Sequence, residues 1–421
     1  MKKSRTVAHP VAVESPRHLP LVDLLIDART ELFELAVRSG LKVLESMLEE
    51  DRTALGPRYA HLAERRASRA GTVSSEVVLG GRKVRVRRPR VRAGGEEVPL
   101  PTFRAMADVD PLDRRVVEQM LVGVATRRYA RSLEPVPATM RSRGTSKSAV
   151  SRRFVTKTAA QLAAWQTASL ERLDLVGLLI DGVHIGEHCL IVALGIAADG
   201  QKHALGLWDG STENARVCQD LLANLQSRGL RTDRSLLVIL DGSKALRKAV
   251  RAIFGDAALV QRCQVHKTRN VLEYLSDRDR PWAQAILRRA YQASDVKKAQ
   301  HLLLDLARRL EDEYPSAAES VREGLEETLT VQGLGLSERL QRSLTTTNAA
   351  ESLISRTRHV KRNVKRWRGG KMMLRWVAAG VLEAVKGFRR LKGHRDMPTL
   401  VAKLRARDQR IGLTTAEEKV A

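Results

Sequence analysis

Two aspartates of the sequence each follow a run of apolar residues and precede a glycine. Asp181 follows LVGLLI, and Asp241 follows LLVIL. Taken singly, each is typical of an Asp-Gly turn after a strand, like Asp199-Gly200, to which we assign no chemistry. Taken together, they favour metal binding, because neighbouring parallel strands lie about 5 Å apart and would bring the two carboxylates together. A divalent cation with oxygen ligands removes the repulsion that would otherwise raise the pKa of one carboxyl group.

A third candidate, Glu351, is the only acidic residue of positions 339–382, a stretch with eleven lysines and arginines. Its local spacing supports two interpretations. Asn348-Ala-Ala-Glu351 fits a capping box, in which Asn348 is the N-cap and Glu351 reaches back to its amide. Glu351 also heads a basic, outward-facing stripe of the predicted helix, as expected of a ligand beside bound nucleic acid. That stripe continues through Ser355, Arg358 and Arg362. The spacing alone does not decide between cap and ligand.

The elements that must position these residues begin at about residue 171. The segments LDLVGLLID, HCLIVALGIAADGQKHALGLWDG, RSLLVILDG and ALVQRCQVH predict five strands, the second segment being a hairpin that turns at Asp199-Gly200. ENARVCQDLLANLQSRGL and SKALRKAVRAIFG separate the later strands and predict crossover helices. The order βββαβαβ describes a mixed α/β sheet covered by helices, in which the strands ending at Asp181 and Asp241 are parallel neighbours.

The chain after this sheet is predicted to be helical. Residues 273–340 show no strand signal, and 305–327 hold eight acidic against three basic residues, a reversal of the overall charge that marks an inserted helical unit. Helices resume over 348–390. We therefore divide this part into 171–272 (first part of the core), 273–340 (helical insertion), 341–390 (final helices of the core, with Glu351) and 391–421 (a polar tail).

The N-terminal part divides into a helical region with a basic hairpin, 1–105, and a helix-turn-helix-like region, 106–170. Leucines at helical spacing over 19–50 predict an amphipathic helix that serves as core or as a self-association surface, with Gly40 as a candidate break. The stretch SEVVLGGRKVRVRRPRVR predicts a hairpin that turns at Gly80-Gly81. Further on, two helical stretches flank the breaker PVPATMRSRG, and the second opens with Ser/Thr caps. An ordinary helical pair with a basic face is the alternative.

Basic side chains in these two regions, with two serines, are candidates for DNA contact, and a solvated face is the alternative. Seven of the eleven residues from Arg82 to Arg92 are basic. The candidates are Arg82, Lys83, Arg85 and Arg87 in the hairpin, Arg127 and Arg128 in the first helical stretch, and Lys147, Ser148, Ser151, Arg152 and Arg153 at the start of the second.

The composition points to a polyanionic partner. With 74 Lys and Arg against 48 Asp and Glu, the formal charge is +26 and the pI is about 10.7, a surplus that repels itself unless a polyanion neutralises it. An anionic membrane is the competing partner, but no apolar run approaches the ~20 residues of a spanning helix. The first residues lack the continuous apolar core of a signal peptide. Three cysteines make no even disulfide framework. We expect a soluble, cytoplasmic protein that binds nucleic acid and not membrane.

Four motifs, LLIDG, ILDGSKALRKAV, VQRCQVHKTRNVLEYL and TTTNAAES, occur in this order. With the LGGRKVRVRRPRVR hairpin and the LVGVATRRY helix, they resemble the successive motifs of bacterial Mutator-type insertion-sequence transposases over most of the chain. The resemblance implies an RNase H-like core with a DDE triad at Asp181, Asp241 and Glu351, spaced 60 and 110 residues apart, the helical insertion preceding the glutamate. It further implies that the triad holds two Mg²⁺ ions, with Mn²⁺ as a substitute. The implied partner is double-stranded DNA, bound at paired transposon ends by a homo-oligomer that is at least a dimer.

The same resemblance covers an accessory motif, Cys263-x-x-His266, together with Asn348. Two ligands make half of a zinc site, and Cys189 and Cys218 are not spaced to complete it, so we expect Cys263 and His266 to be structural or active-site neighbours. The cations flanking the triad that are candidates to hold phosphates are Lys244, Lys267, Arg269, Arg358 and Arg362.

These patterns lead to one preferred function and two alternatives. The preferred one is a DDE transposase that binds the terminal inverted repeats of an insertion sequence, nicks the DNA to free 3′ ends and joins them to a target by strand transfer. It would act in the bacterial cytoplasm, on the nucleoid when bound to DNA, with base recognition assigned to residues 120–160. One alternative is a non-catalytic helix-turn-helix regulator, which leaves the ordered carboxylates unexplained. The other is an RNase H-like metal nuclease without strand transfer.

Overall fold

The computed structural model describes residues 20–58, 67–79, 82–108, 111–133, 142–143, 146–185, 188–210, 215–361, 364, 367 and 369–413. These residues form two compact units, one within Met1–Val116 and Thr126–Val150 and the other within Val117–Ala125 and Ser151–Ala421. None of the helices in the described ranges is long and apolar enough to cross a membrane.

In the first unit a long helix packs on a small antiparallel sheet. Its elements are α1 (Pro20–Leu55), β1 (Ser68–Leu79), β2 (Arg82–Ala93), β3 (Glu96–Val98), α2 (Pro101–Asp108), the first part of α3 (Pro111–Leu121) and β4 (Ser142–Arg143). β2 pairs antiparallel with β1, β3 and β4. Leu79 pairs with Arg82, so β1 and β2 form the predicted hairpin around positions 80–81, which lie outside the described residues.

The alternation of residue types along β2 explains why one face of this sheet is covered. Val84, Val86 and Val91 are buried, and Val86 and Val91 share a core with Leu44 and Leu48 of α1, whereas Arg85 and Arg87 are exposed. α1 continues through Gly40, so the candidate break is absent. A single glycine costs a helix only about 1 kcal/mol relative to alanine, which a helix of this length tolerates.

The connection towards the second unit differs from a helix-turn-helix. α3 ends at Leu121, short of the end of the predicted helical stretch, and Gly123 follows with φ at +101°. A 3₁₀ helix, Tyr129–Ser132, and the strand β4 come before α4 (Lys147–Thr167). The two helices are therefore not joined by the turn of about 3–4 residues that defines the motif.

The second unit contains the rest of α4 and all later elements. They are β5 (Leu175–Ile185), β6 (His188–Ala197), β7 (Lys202–Gly210), α5 (Ala215–Ser227), β8 (Leu236–Leu240), α6 (Lys244–Phe254), β9 (Ala258–Arg262), α7 (Gln264–Glu273), α8 (Arg280–Tyr291), α9 (Val296–Leu310), α10 (Pro315–Arg322), α11 (Leu325–Leu329), α12 (Glu338–Leu344), α13 (Asn348–Lys361), α14 (Gly370–Val385) and α15 (Met397–Ile411).

The central feature of this unit is a mixed five-stranded sheet in the order β7-β6-β5-β8-β9. β5, β6 and β7 are antiparallel neighbours, and β5, β8 and β9 are parallel neighbours. Both faces are covered: α5 and α6 lie on one, and α13, α14 and α15 lie on the other. The strands are near-continuous apolar runs because residues of both parities are buried. The predicted mixed sheet and the order βββαβαβ are thus confirmed.

The chain between the last strand and α12 is helical and has a core of its own. Leu287, Leu303, Leu310 and Val321 from α8, α9 and α10 are buried together with Val271 of α7. These helices therefore pack mainly on one another, as expected of a helical unit inserted between a strand and a later helix of the sheet.

The segment that the sequence suggests to be a polar tail contains α15, which belongs to the core of the second unit. Leu400 and Leu404 are buried against the face of the sheet that also contacts α13 and α14. Asp408, 6% exposed, accepts a hydrogen bond from the Ser235 amide at 2.6 Å. This contact fixes α15 next to the start of β8.

Candidate active site

Asp181 and Asp241 lie side by side at one edge of the parallel part of the sheet. Ile180 of β5 pairs with Leu240 of β8, and each aspartate is the next residue. β5 continues to Ile185 because its far half pairs antiparallel with β6, so Asp181 lies inside a strand and the interpretation of Asp181-Gly182 as a turn is wrong. Asp181 is 2% exposed. The sequence prediction that the apolar runs before these aspartates form neighbouring parallel strands is confirmed.

Asp241, by contrast, does begin a turn. Its Oδ1 accepts a hydrogen bond from the Ser243 amide at 2.9 Å, and Gly242 adopts a φ of +111°, in the region that favours glycine. The Ser243 hydroxyl then caps α6 by accepting a hydrogen bond from the Leu246 amide. The Asp-Gly-Ser sequence therefore leads β8 into α6 while one oxygen of Asp241 is held by the backbone.

Glu351 lies in the first turn of α13, but the predicted capping box is not formed. The Glu351 amide donates to the Thr347 carbonyl at 3.1 Å, so Thr347 and not Asn348 occupies the N-cap position. That places Glu351 one residue too far along the helix for the box. Its carboxylate Oε1 instead lies 3.5 Å from His266 Nε2 and 3.9 Å from Arg269 Nη1, both on α7.

His266 lies beside Glu351 and responds to the charges of both aspartates. The pKa of His266 is raised to about 9, first by its hydrogen bond with Cys263 and then by the negative charges of Cys263, Asp181 and Asp241, although burial opposes the change. Burial raises the pKa of Cys263, but hydrogen bonds from His266 and Thr347 outweigh it and lower that pKa. Since His266 also faces Glu351, all three acidic side chains act on one imidazole.

A cleft of about 620 Å³ opens above these groups. It is lined by Asp181, Gly182, His184, His266, Arg269, Asn348, Glu351, Ser352, Ile354 and Ser355. Asp241 belongs to the adjoining strand end and not to the lining. The fold therefore collects Asp181 and Glu351, 170 residues apart in sequence, with the accessory His266 and Asn348 around a single solvent-facing space.

The candidate ligands are of the chemical type that a hard divalent cation binds. All three candidate ligands are carboxylates, which such cations prefer. Glu351 Oε1 is buried from solvent and has no hydrogen-bond partner within the described part of the chain, which leaves its charge uncompensated except by the two α7 cations. The described residues do not contain a preassembled cluster of three His, Cys, Asp or Glu that could hold a metal. Metal binding would therefore require Glu351 to exchange its contacts with α7 for the ion.

The cations predicted around the triad have different surroundings. Arg269 lines the cleft and its side chain is 59% exposed, and the 89% exposed Lys244 lies 3.7 Å from Glu323. The prediction for Lys267 is wrong, because it is 4% exposed and its ammonium donates to the Glu323 carbonyl at 2.6 Å. The side chain of Arg358 and all of Arg362 lie outside the described residues.

The candidates for DNA contact nearer the N-terminus are mostly on the surface. Lys83 pairs with Glu76 at 3.4 Å, and Arg87 donates to the Thr72 hydroxyl at 3.4 Å. The exposed candidates are Arg85, Arg87, Arg127, Arg128, Lys147, Ser148, Ser151 and Arg152, and Arg153 is half-buried. Arg82 belongs to β2, but its side chain lies outside the described part.

Thr347 is a site residue that no sequence motif predicted. Its hydroxyl lies 3.5 Å from Cys263 Sγ and 3.3 Å from His266 Nδ1, and its amide donates to Cys263 Sγ at 3.4 Å. The only signal in the sequence is the TTTN run shortly before Glu351. The expected role of Cys263 and His266 as structural or active-site neighbours agrees with these contacts.

Comparison with known proteins places the chain in a family. The model of the family described as "Transposase, Mutator family" matches residues 26–390. A transposase for insertion sequence element IS6120 of Mycolicibacterium smegmatis is 34% identical over 169 residues, which are 39% of this chain and 51% of that protein. The transposase for ISRM3 of Rhizobium meliloti is 29% identical over 308 residues, 70% of this chain and 73% of that protein. The transposase for IS905 of Lactococcus lactis is 27% identical over 307 residues, 71% of this chain and 74% of that protein.

The match to the Mycolicibacterium protein spans about half the length of that relative. The family match, however, includes both strands that precede the aspartates and the helix that carries Glu351. This chain therefore belongs to the Mutator family of transposases.

Proposed function

We propose that the chain is a DDE transposase with Asp181, Asp241 and Glu351 as its catalytic carboxylates. One observation carries the proposal: two aspartates follow a paired position of adjacent parallel strands, and a helix after a long insertion brings a glutamate to the cleft that Asp181 lines. The negative charges of these carboxylates act on the neighbouring His266, and a bound divalent cation would supply a further counter-charge for them.

The sheet supports an RNase H-like interpretation of the core. Three antiparallel strands followed by two parallel ones, in the order β7-β6-β5-β8-β9 and with helices on both faces, place β5 at the centre of the sheet. Asp181 thus comes from the central strand and Asp241 from its parallel neighbour. Crevices at the carboxyl ends of parallel strands are a usual place for binding sites in α/β sheets.

Asp181, Asp241 and Glu351 would hold Mg²⁺, with two ions as the family resemblance implies and Mn²⁺ as a substitute. When bound, such ions supply an activated oxygen nucleophile and a counter-charge for the leaving 3′ oxygen. The chain itself contributes position and charge. Asp181 is held by strand pairing and Asp241 by the Ser243 amide, and the exposed Arg269 at the cleft is suited to a flanking phosphate.

The reaction would proceed by two displacements at phosphorus. In the first, water attacks the phosphodiester at the transposon end, and the bond to the 3′ oxygen breaks to leave a 3′-hydroxyl. In the second, that hydroxyl attacks a phosphodiester of the target, so that one phosphodiester bond forms as another breaks. No covalent bond between protein and DNA is needed, and the protein accelerates both steps mainly by positioning and electrostatic stabilisation.

DNA binding would fall to the basic surfaces outside the cleft. The net charge of +26 supports a polyanionic partner, and the exposed Arg85 and Arg87 of the β1–β2 hairpin and the N-terminal turn of α4 offer cations for phosphate contact. Residues 120–160 remain our candidates for base recognition. Pairing of two transposon ends would require at least two copies of the chain, acting on the nucleoid in the bacterial cytoplasm.

The test is a Mg²⁺-dependent nicking and joining assay on DNA that carries the terminal inverted repeats of the element. Glu351→Gln should keep DNA binding and lose nicking and joining by more than about 100-fold, because it removes a ligand charge. Glu338→Gln is the matched control, since this exposed residue is the nearest acidic position upstream.

Three outcomes separate the hypotheses. Joining by the wild-type protein supports the transposase. Nicking without joining favours the metal nuclease. If wild type and Glu351→Gln bind DNA equally and neither cuts it, the regulator is favoured and the catalytic assignment is wrong.

A further inference from the structure

A chain of contacts links the segment before α13 to the end of β8. The Thr347 amide and hydroxyl both lie against Cys263 Sγ, at 3.4 and 3.5 Å, and the hydroxyl lies 3.3 Å from His266 Nδ1. Just before this, the Gln264 amide donates to the Thr345 carbonyl at 2.9 Å. The start of α7 and the approach to α13 are therefore joined at two successive positions.

The same chain of contacts reaches both ends of the carboxylate site. The Cys263 amide donates to the Leu240 carbonyl at 2.7 Å, and Leu240 immediately precedes Asp241. At the other end, the Thr347 carbonyl accepts the Glu351 amide at 3.1 Å. Cys263 and Thr347 are thus the only two residues needed to connect the backbone beside Asp241 to the backbone of Glu351.

The two residues of this connection are buried from solvent. Cys263 and Thr347 are both 0% exposed, so water cannot replace a lost partner. A buried hydroxyl whose partners are removed keeps its desolvation penalty, and the buried thiol of Cys263 deprived of the hydroxyl is left in the same position. The geometry of the connection is therefore specified by the polar atoms and not only by the fit of apolar surfaces.

We infer that Cys263, His266 and Thr347 form a positioning cluster that holds the first turn of α13 against the end of β8 and so places Glu351 opposite the two aspartates. The inference rests on the proposed function, in which Glu351 is a ligand, and it assigns a task to the Cys-x-x-His motif that is not zinc binding. The three residues act through Glu351 and not on DNA.

Two substitutions at Thr347 separate polar positioning from simple packing. Thr347→Val keeps nearly the same shape and removes the hydroxyl, whereas Thr347→Ser keeps the hydroxyl and removes a methyl group. If the hydroxyl contacts position Glu351, Ser should resemble wild type and Val should be impaired. If position 347 only needs to be filled by a side chain of the right size, Thr347→Val should resemble wild type and Thr347→Ser should be impaired, because Ser leaves a cavity and Val does not.

Metal binding is the first readout. The Kd for Mn²⁺, measured by paramagnetic resonance on the full chain bound to end DNA, should rise roughly 10-fold or more for Thr347→Val and about 2-fold or less for Thr347→Ser. End-DNA affinity should be unchanged for both. Equal Mn²⁺ affinity for wild type and Val, or weaker binding for Ser than for Val, would overturn the inference.

Hydrogen exchange tests the cluster independently of catalysis. Peptides that cover 345–355 should exchange faster in Thr347→Val than in wild type or Thr347→Ser, because the Glu351 amide is bonded to the Thr347 carbonyl. If wild type proves inert in the nicking assay but this order is observed, the proposed function fails and the positioning role stands. If exchange is the same in all three proteins, the positioning role fails whatever the nicking assay shows. Should Thr347→Val not fold, Cys263→Ala removes the same contact from the other side, with the same expectation.

Discussion

Lys267 allows a quantitative test of the description of α7. It is 4% exposed, and its ammonium donates to the Glu323 carbonyl at 2.6 Å. Burial, and then the positive charge of Arg262, lower the pKa of Lys267 from 10.5 to about 8, although Glu323 opposes the change. At about 1.4 kcal/mol per pKa unit, the charged form of this buried side chain costs the native state about 3 kcal/mol.

The sign of the pH dependence follows from linkage. Below pH 8 both the native and the unfolded chain carry the proton, and the penalty is fully present. Between pH 8 and 10.5 the native state releases the proton before the unfolded state does, so the unfolded state binds more protons and stability rises with pH. Lys267→Met removes the titration. The free energy of unfolding of wild type relative to Lys267→Met should therefore rise by about 3 kcal/mol across this interval.

The assay is urea unfolding of both proteins, followed by tryptophan fluorescence at a series of pH values from 7 to 10.5. Taking the difference between the two proteins cancels all other titrating groups and leaves the lost hydrogen bond to Glu323 as a constant offset. Lys248→Met, at an exposed position of α6, controls for removal of a lysine charge. A difference that stays flat with pH would refute the burial argument.

DNA binding gives the same substitution a second, independent readout. If the ammonium contacted a phosphate, Lys267→Met would weaken binding and reduce the salt dependence of the affinity by about one ion. Because the ammonium faces the Glu323 carbonyl, we expect both the affinity and its salt dependence to remain unchanged.

Three further changes test the core and the turn at the site, each by urea unfolding. Gly242→Ala should lower the free energy of unfolding by about 1–3 kcal/mol, since φ is +111° and a Cβ would lie 2.9 Å from a guanidinium nitrogen. Gly255→Ala is the control, because Gly255 has a φ of +52° but open space around it, and it should lower the free energy of unfolding less. Equal losses would contradict the importance of the close contact. Gln261→Met should cost about 2–5 kcal/mol, because its fully buried amide donates to two carbonyls and accepts from one backbone amide. Ile239→Ala, in the fully buried β8, should cost about 2–5 kcal/mol, and a loss below 1 kcal/mol would mean that this face of the sheet is not packed as described.

Sequence patterns predicted the elements well where a single periodicity or an apolar run dominates. The alternating valines and arginines of β2 and the apolar runs of β5 and β8 led to the observed strands. Their crossover helix made β5 and β8 parallel neighbours, which was sufficient to place the two aspartates together. The sequence predictions were wrong at positions where contacts with a part of the chain distant in sequence decide the local structure. β5 extends past Asp181 because β6 pairs with it there.

The same cause explains the errors around Glu351. The spacing of Asn348 and Glu351 satisfies a capping box, but Thr347, which contacts the distant Cys263, occupies the N-cap position instead. Likewise, Lys267 looks like any other lysine of a basic stretch until the helical insertion places the Glu323 carbonyl beside it. Neither outcome can be derived from spacing along the chain.

The sequence by itself determined the order of strands and helices in the sheet and the excess of positive charge, because each depends on residue type and local periodicity. Only the tertiary structure decided that Cys263 and Thr347 join α7 to the turn before α13, and that Glu351 faces His266 and not its own N-cap. The physical reason is that most buried polar atoms pair with a partner within hydrogen-bond distance. Folding selects that partner from the whole chain, 84 residues away in the case of Thr347 and Cys263.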